Sequence, residues 1–169
     1  MALVTVIGTT SWGTTLAILL AKRDINVWLW ARSEQEALDL QRTRENRRFL
    51  PGFPFPPRLS ATASISKAMH KTDMIVYAVP SARLRENLRV TSDAIPSHSV
   101  VLSVCKGLER ESGKRMSEVL TEELPQKIHS YISLLSGPNL AMEIASGKPA
   151  SAVIAAAKED VAMRGRDLF

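Results

Sequence analysis

The chain has 169 residues, 45% hydrophobic and 23% charged, which suits one good-sized domain with a buried core. It shows no run near the ~20 apolar residues of a membrane span. Cys105 is alone, so an internal disulfide is excluded.

The net charge is +5, and much of the excess lies in Arg42, Arg44, Arg47 and Arg48, grouped around Glu45. Clustered arginines can track nucleic-acid phosphates, but no aromatic-interleaved patch accompanies them. A solvated basic helix end or a small phosphorylated ligand accounts for the charge equally well. The apolar pattern begins at Leu3, leaving no room for a signal or transit peptide. With the lone cysteine, this predicts a reducing, cytoplasmic location.

Leu3–Ile7 is apolar and largely β-branched, as in a buried strand, and breaks at Gly8. After Gly13, Thr14–Lys22 follows a helical pattern. Strand, glycine turn and helix form the setting of a dinucleotide fingerprint, with backbone N–H groups and the helix dipole facing a pyrophosphate. Gly8 and Gly13 fill the first and third glycine places. Thr10 fills the second, where glycine normally lets the backbone approach the pyrophosphate, so the loop must sit farther off or bend differently. An ordinary βα turn without ligand remains open at this point.

Ile25–Trp30 reads as a second strand. Ser33 is placed to cap a helix from Glu34 to about Arg44, with Gln35 or Glu36 near the reciprocal capping position. At the end of such a strand an acid bonds the adenosine 2′-hydroxyl, whereas an arginine accepts a 2′-phosphate. Arg32 stands there without an acid, which favours NADP or use of both cofactors; a plain surface arginine is the other reading. Phe49–Pro57 is too rich in proline for helix or central strand and reads as a rigid loop packed by its own phenylalanines.

A short strand near Leu59–Ala63 and a brief helix around Ser66–His70 follow, then a buried strand Asp73–Pro80 and a helix from Ser81 toward Ala94. The next strand, Ser99–Val104, leads to Cys105 and Lys106. Ligands bind beyond the carboxyl ends of strands in open α/β sheets, so Lys106 is placed to meet a substrate oxygen or a cofactor group, unless it is a solvated loop lysine. Cys105 reads as strand-end packing. His70, His98 and His129 lack metal-ligand spacing, and no metal site is expected. A helix from about Gly113 to Leu124 buries Met116, Val119, Leu120 and Leu124. Strand Tyr131–Leu135 then runs into Gly137, with Pro138 suited to a first helical turn. A strand Ala150–Ala157 and an interrupted helix 158–169 complete the chain.

Ile7–Thr14, Asn46–Gly52, Ala78–Ser81, Lys106–Glu109 and Leu135–Glu143 occur in the order of, and together resemble, the NAD(P)-dependent sn-glycerol-3-phosphate dehydrogenases. The resemblance implies a Rossmann-like, doubly wound and mainly parallel α/β sheet over residues 1–157. Residues 158–169 would then begin a helical C-terminal region lying outside this chain. It implies NAD or NADP as cofactor, hydride exchange between sn-glycerol 3-phosphate and dihydroxyacetone phosphate, a link to glycerophospholipid synthesis, and a homodimer for the longer form.

By the same resemblance, Ser11 and Trp12 lie against the pyrophosphate, Arg32 at the adenine-ribose end, and Phe49 and Ala141 by the cofactor. Lys106 meets both cofactor and substrate and polarises the latter, while Gly137 and Asn139 touch the substrate. The general-base lysine and a phosphate-gripping arginine belong to the C-terminal half, so this chain by itself is expected to be inactive. Two positions depart from the family pattern: Thr10 replaces a glycine, and Asn139-Leu140 stands for Ser or Thr followed by Phe. A non-catalytic nucleotide-binding module and another two-domain hydroxy-substrate dehydrogenase are the alternative functions.

Overall fold

A computed structural model describes residues 2–169. Seven strands form one sheet: β1 (Leu3–Ile7), β2 (Asn26–Trp30), β3 (Leu59–Thr62), β4 (Met74–Tyr77), β5 (Val100–Ser103), β6 (Ile132–Ser136) and β7 (Val153–Ala156). The helices are α1 (Ser11–Lys22), α2 (Glu34–Thr43), α3 (Ile65–Met69), α4 (Ser81–Thr91), α5 (Met116–Glu123), α6 (Ala141–Ala145) and α7 (Glu159–Leu168).

The spatial order is β3-β2-β1-β4-β5-β6-β7. All pairings are parallel except that of β6 with β7. Strand order therefore reverses between β1 and β4, opening a crevice at their carboxyl ends where doubly wound sheets bind ligands. Parallel strands must be covered on both faces, and the core divides accordingly. One cluster gathers Val4, Val6, Leu16, Leu20, Leu29, Val76 and Leu102; the other holds Ile7, Ile75, Tyr77, Leu84, Val101 and Leu120. Neighbours such as Val6 and Ile7 fall in opposite clusters, as the two-residue side-chain alternation of a strand requires.

The expected elements form, with shifted ends. Ser33 caps α2, its hydroxyl accepting from the Glu36 N–H at 3.2 Å. The reciprocal half of a capping box does not form, because the Glu36 carboxylate is engaged elsewhere. The helix expected from Gly113 starts at Met116: Gly113 has φ +69° and turns the chain first, and Glu118 accepts from the Arg115 N–H at 2.8 Å to close the first turn. The face expected to be buried there, Met116, Val119, Leu120 and Leu124, is buried. Pro138 lies in the loop ahead of α6 rather than in its first turn. The last strand contracts to the antiparallel edge strand β7, and α7 packs on it with Val161 wholly buried.

The four arginines of the basic cluster do not make one patch. Arg44 donates to the carbonyls of Leu59 (2.7 Å) and Pro56 (2.6 Å), fastening the proline-rich loop. Arg42 pairs with Asp39, Arg47 with Glu45, and Arg48 lies over the Phe49 ring. No helix among the described residues is long and apolar enough to cross a membrane.

Candidate nucleotide and substrate site

The turn after β1 is set by sterics. Gly8 has φ +117°, and a Cβ there would lie 2.7 Å from the Ala78 carbonyl oxygen and 2.8 Å from a Val79 methyl. A Cβ on Gly13 would lie 2.0 Å from the Gly8 carbonyl oxygen. Both glycines are thus required for α1 to start so close beneath the strand ends.

Thr10, at the second glycine place, is the N-cap of α1. Its hydroxyl accepts from the Gly13 N–H at 3.0 Å and donates to the Ala78 carbonyl at 2.8 Å. The hydroxyl thus ties the helix start to the loop after β4. The first turn of α1 carries no acid, so its positive end is not neutralised from within. The N–H groups of Ser11 and Trp12 have no acceptor inside the helix, as helix geometry dictates.

Beyond β5, Lys106 reaches across the crevice. Its ammonium donates to the Asn139 backbone carbonyl at 2.8 Å and lies 5.8 Å from the centre of the Trp12 ring. Trp12 from the first turn of α1, Lys106 from the loop after β5, and Gly137 and Asn139 from the loop after β6 are brought together here. A Cβ on Gly137 would meet the Ser151 carbonyl oxygen at 2.6 Å and Asn139 Nδ2 at 2.7 Å. Ala141 opens α6 beside α1, and its carbonyl accepts from the Thr15 hydroxyl at 3.3 Å.

Two buried donors in this group, Trp12 Nε1 and Asn139 Nδ2, have no hydrogen-bond partner. Buried donors are nearly always satisfied, and both orphans belong to residues that line one cavity with Leu135, Ile144 and Ala152.

On the other side of the turn, Asn46 is the fastener. Its amide donates to the Thr9 carbonyl and to the Thr14 hydroxyl, each at 2.8 Å, and its side-chain oxygen accepts from the Phe49 N–H at 3.2 Å. The Thr9 hydroxyl donates to Glu36 at 2.6 Å. Phe49 is partly exposed beneath the Arg48 guanidinium. Arg32 follows β2 and lies 3.5 Å from Glu86 of α4, both side chains half-exposed. Cys105 packs under Tyr77, its thiol donating to the Tyr77 carbonyl at 3.3 Å, and burial raises its pKa.

Sequence reasoning missed the roles of Thr9, Glu36 and Asn46. Asn46 had a local signal: an asparagine three residues before a chain reversal bonds its own backbone. Its reach to the glycine turn had none. No group of three acidic, histidine or cysteine side chains among the described residues is arranged to hold a metal ion.

The model of the NAD-dependent glycerol-3-phosphate dehydrogenase N-terminus matches residues 3–162. A relative from Dehalococcoides mccartyi, a glycerol-3-phosphate dehydrogenase [NAD(P)+], is 43% identical over all of this chain and 47% of its own length. Another with that name from Corynebacterium glutamicum is 43% identical over 95% of this chain and 48% of itself. The crystal structure of glycerol-3-phosphate dehydrogenase from Coxiella burnetii superimposes with a TM-score of 0.89 at 27% identity. It is matched over 99% of this chain and 50% of that one. The chain spans about half the length of these relatives. With the family model matched along nearly its whole length, the chain belongs to the NAD-dependent glycerol-3-phosphate dehydrogenase family, whose N-terminal part it represents.

Proposed function

We propose that this chain is the cofactor-binding half of an oxidoreductase that interconverts sn-glycerol 3-phosphate and dihydroxyacetone phosphate with NAD or NADP. In this reading residues 1–157 form the dinucleotide-binding unit, and residues 158–169 lead toward a second, substrate-gripping domain. The observation that carries it is the pair of orphaned buried donors, Trp12 Nε1 and Asn139 Nδ2, beside the Lys106 ammonium in the crevice where strand order reverses.

The residues present fit a nicotinamide dinucleotide: an unneutralised helix end, first-turn N–H groups without an acceptor inside the helix, and a lysine across the crevice. When bound, the cofactor exchanges a hydride with the substrate carbon. Gly8, Gly13 and the Ser11 and Trp12 N–H groups receive the pyrophosphate, with Thr10 holding the helix start. Arg32 and Phe49 serve the adenosine end, and Ala141 flanks the nicotinamide half. Lys106 places its charge at the substrate oxygen, stabilising the alkoxide character that develops as the hydroxyl proton is withdrawn or, in the reverse direction, as hydride reaches the carbonyl carbon. Gly137 and Asn139 orient the substrate around it. The hydroxyl proton needs a separate positioned base, typically worth 10²–10⁴-fold, which the family resemblance assigns to the C-terminal half.

A small phosphorylated substrate and a place in phospholipid synthesis follow from this reading, as do a cytoplasmic location and a homodimeric full-length form. Calorimetric titration with NADH and NADPH separately tests it. Saturable binding of either is expected, and binding of neither rejects it.

A further inference from the structure

We propose that Glu36 reads the adenosine 2′ position of the cofactor and opposes Arg32 there. It would accept a hydrogen bond from a free 2′-hydroxyl and repel a 2′-phosphate. This rests on the cofactor reading above and deepens it.

The sequence offers no acid at the end of β2, but the fold supplies one from α2. Glu36 lies in the first turn of that helix, about 20 residues beyond the glycine turn, the usual interval to a ribose-binding acid. The Thr9 hydroxyl, next to Gly8, holds its Oε1 at 2.6 Å. Thr9 is itself held through its carbonyl by Asn46. The carboxylate is therefore fixed beside the turn, on the β2 side of the crevice where the adenosine half of a dinucleotide lies.

Among the described residues no cation pairs with Glu36. The nearby arginines are otherwise engaged: Arg47 with Glu45, Arg48 over Phe49, and Arg32 toward Glu86. A cavity of about 440 Å³ opens against it, lined also by the acids Asp39 and Glu45 and by Arg47 and Arg48, with Asn46 and Phe49 beside them. An unpaired carboxylate beside this cavity favours a neutral donor and disfavours a dianion.

The test is titration of NADH and NADPH into the natural protein at its full length, unaltered and with Glu36→Gln. Glutamine keeps an acceptor for the Thr9 hydroxyl and removes only the charge. The expected result is about a tenfold gain for NADPH relative to NADH, with NADH itself weakened a few-fold. Arg32→Ala should shift the ratio the opposite way.

Glu36→Asp guards against a purely structural effect. It keeps the charge and should stay near the unaltered ratio. A ratio unchanged within about twofold in Glu36→Gln overturns the proposal, as does Glu36→Asp behaving like Gln. Failure of the unaltered protein to bind either cofactor would instead reject the underlying site, and this assignment with it.

Discussion

Arg85 of α4 grips Glu109 with two parallel N–H···O bonds of 2.8 Å each, in the loop that carries Lys106. The same guanidinium also bonds Glu122 and Glu123 of α5, and Lys114 pairs with Glu122. The loop after β5 is thereby fixed to two helices at once, which holds Lys106 at the crevice. The Arg85 guanidinium, with help from the Ser112 hydroxyl, keeps the Glu109 carboxyl at about 2, below its ordinary 4.5.

The direction of the pH effect follows. A carboxylate depressed in the folded state contributes stability above its ordinary pKa and loses it as pH falls. Melting temperature should drop as pH is lowered from about 4.5 toward about 2. Glu109→Gln should cost about 1–2 kcal/mol at neutral pH and flatten that acid limb. An unchanged limb in the variant would place the acid sensitivity elsewhere.

Gly13→Ala should destabilise strongly although it adds a better helix former. Alanine ordinarily gains about 1 kcal/mol over glycine within a helix. Here the new methyl would sit 2.0 Å from the Gly8 carbonyl oxygen, and relieving it means moving α1 off the strand ends, at a cost of about 3 kcal/mol or more. Urea denaturation reads the loss, and NADH titration should show binding abolished.

Thr10→Gly separates stability from ligand affinity. It removes the helix cap and the bond to the Ala78 carbonyl, for a loss of about 1–2 kcal/mol. NADH binding should hold or tighten, because the backbone gains freedom to approach the pyrophosphate. Parallel melting and titration experiments decide it.

Asn46 distinguishes donor from acceptor. Asn46→Ala leaves the Thr14 hydroxyl and the Phe49 N–H without their partner, costing about 2–3 kcal/mol. Asn46→Asp should be worse, since it turns two donated bonds into a buried charge facing the Thr9 carbonyl oxygen. A denaturation midpoint near the unaltered protein's in Asn46→Asp, with a loss in Asn46→Ala, would mean that only the Phe49 contact matters.

The parallel sheet was legible because its strands are continuous apolar runs bounded by glycine, proline or serine, and each helix carries one buried stripe. The glycine turn was legible because strand, Gly8, Gly13 and helix lie together in sequence. What spacing could not convey was the long-range tie. Thr10 read as an obstruction in the chain, yet its hydroxyl finds Ala78, far along the sequence and adjacent only because β4 lies beside β1. Glu36 read as half of a capping box, and the fold turned it to Thr9 instead. The basic cluster failed as a patch for the same reason: Arg44 is spent on carbonyls of a loop that returns to meet it.

The Lys106 ammonium is already bound, 2.8 Å from the Asn139 carbonyl oxygen. An ammonium has three N–H donors, and this bond occupies one of them. Under the proposed function the carbonyl does not compete with the substrate oxygen, which can take a second N–H; it anchors the nitrogen beforehand. The long, flexible stem then has less freedom left to lose when a ligand arrives.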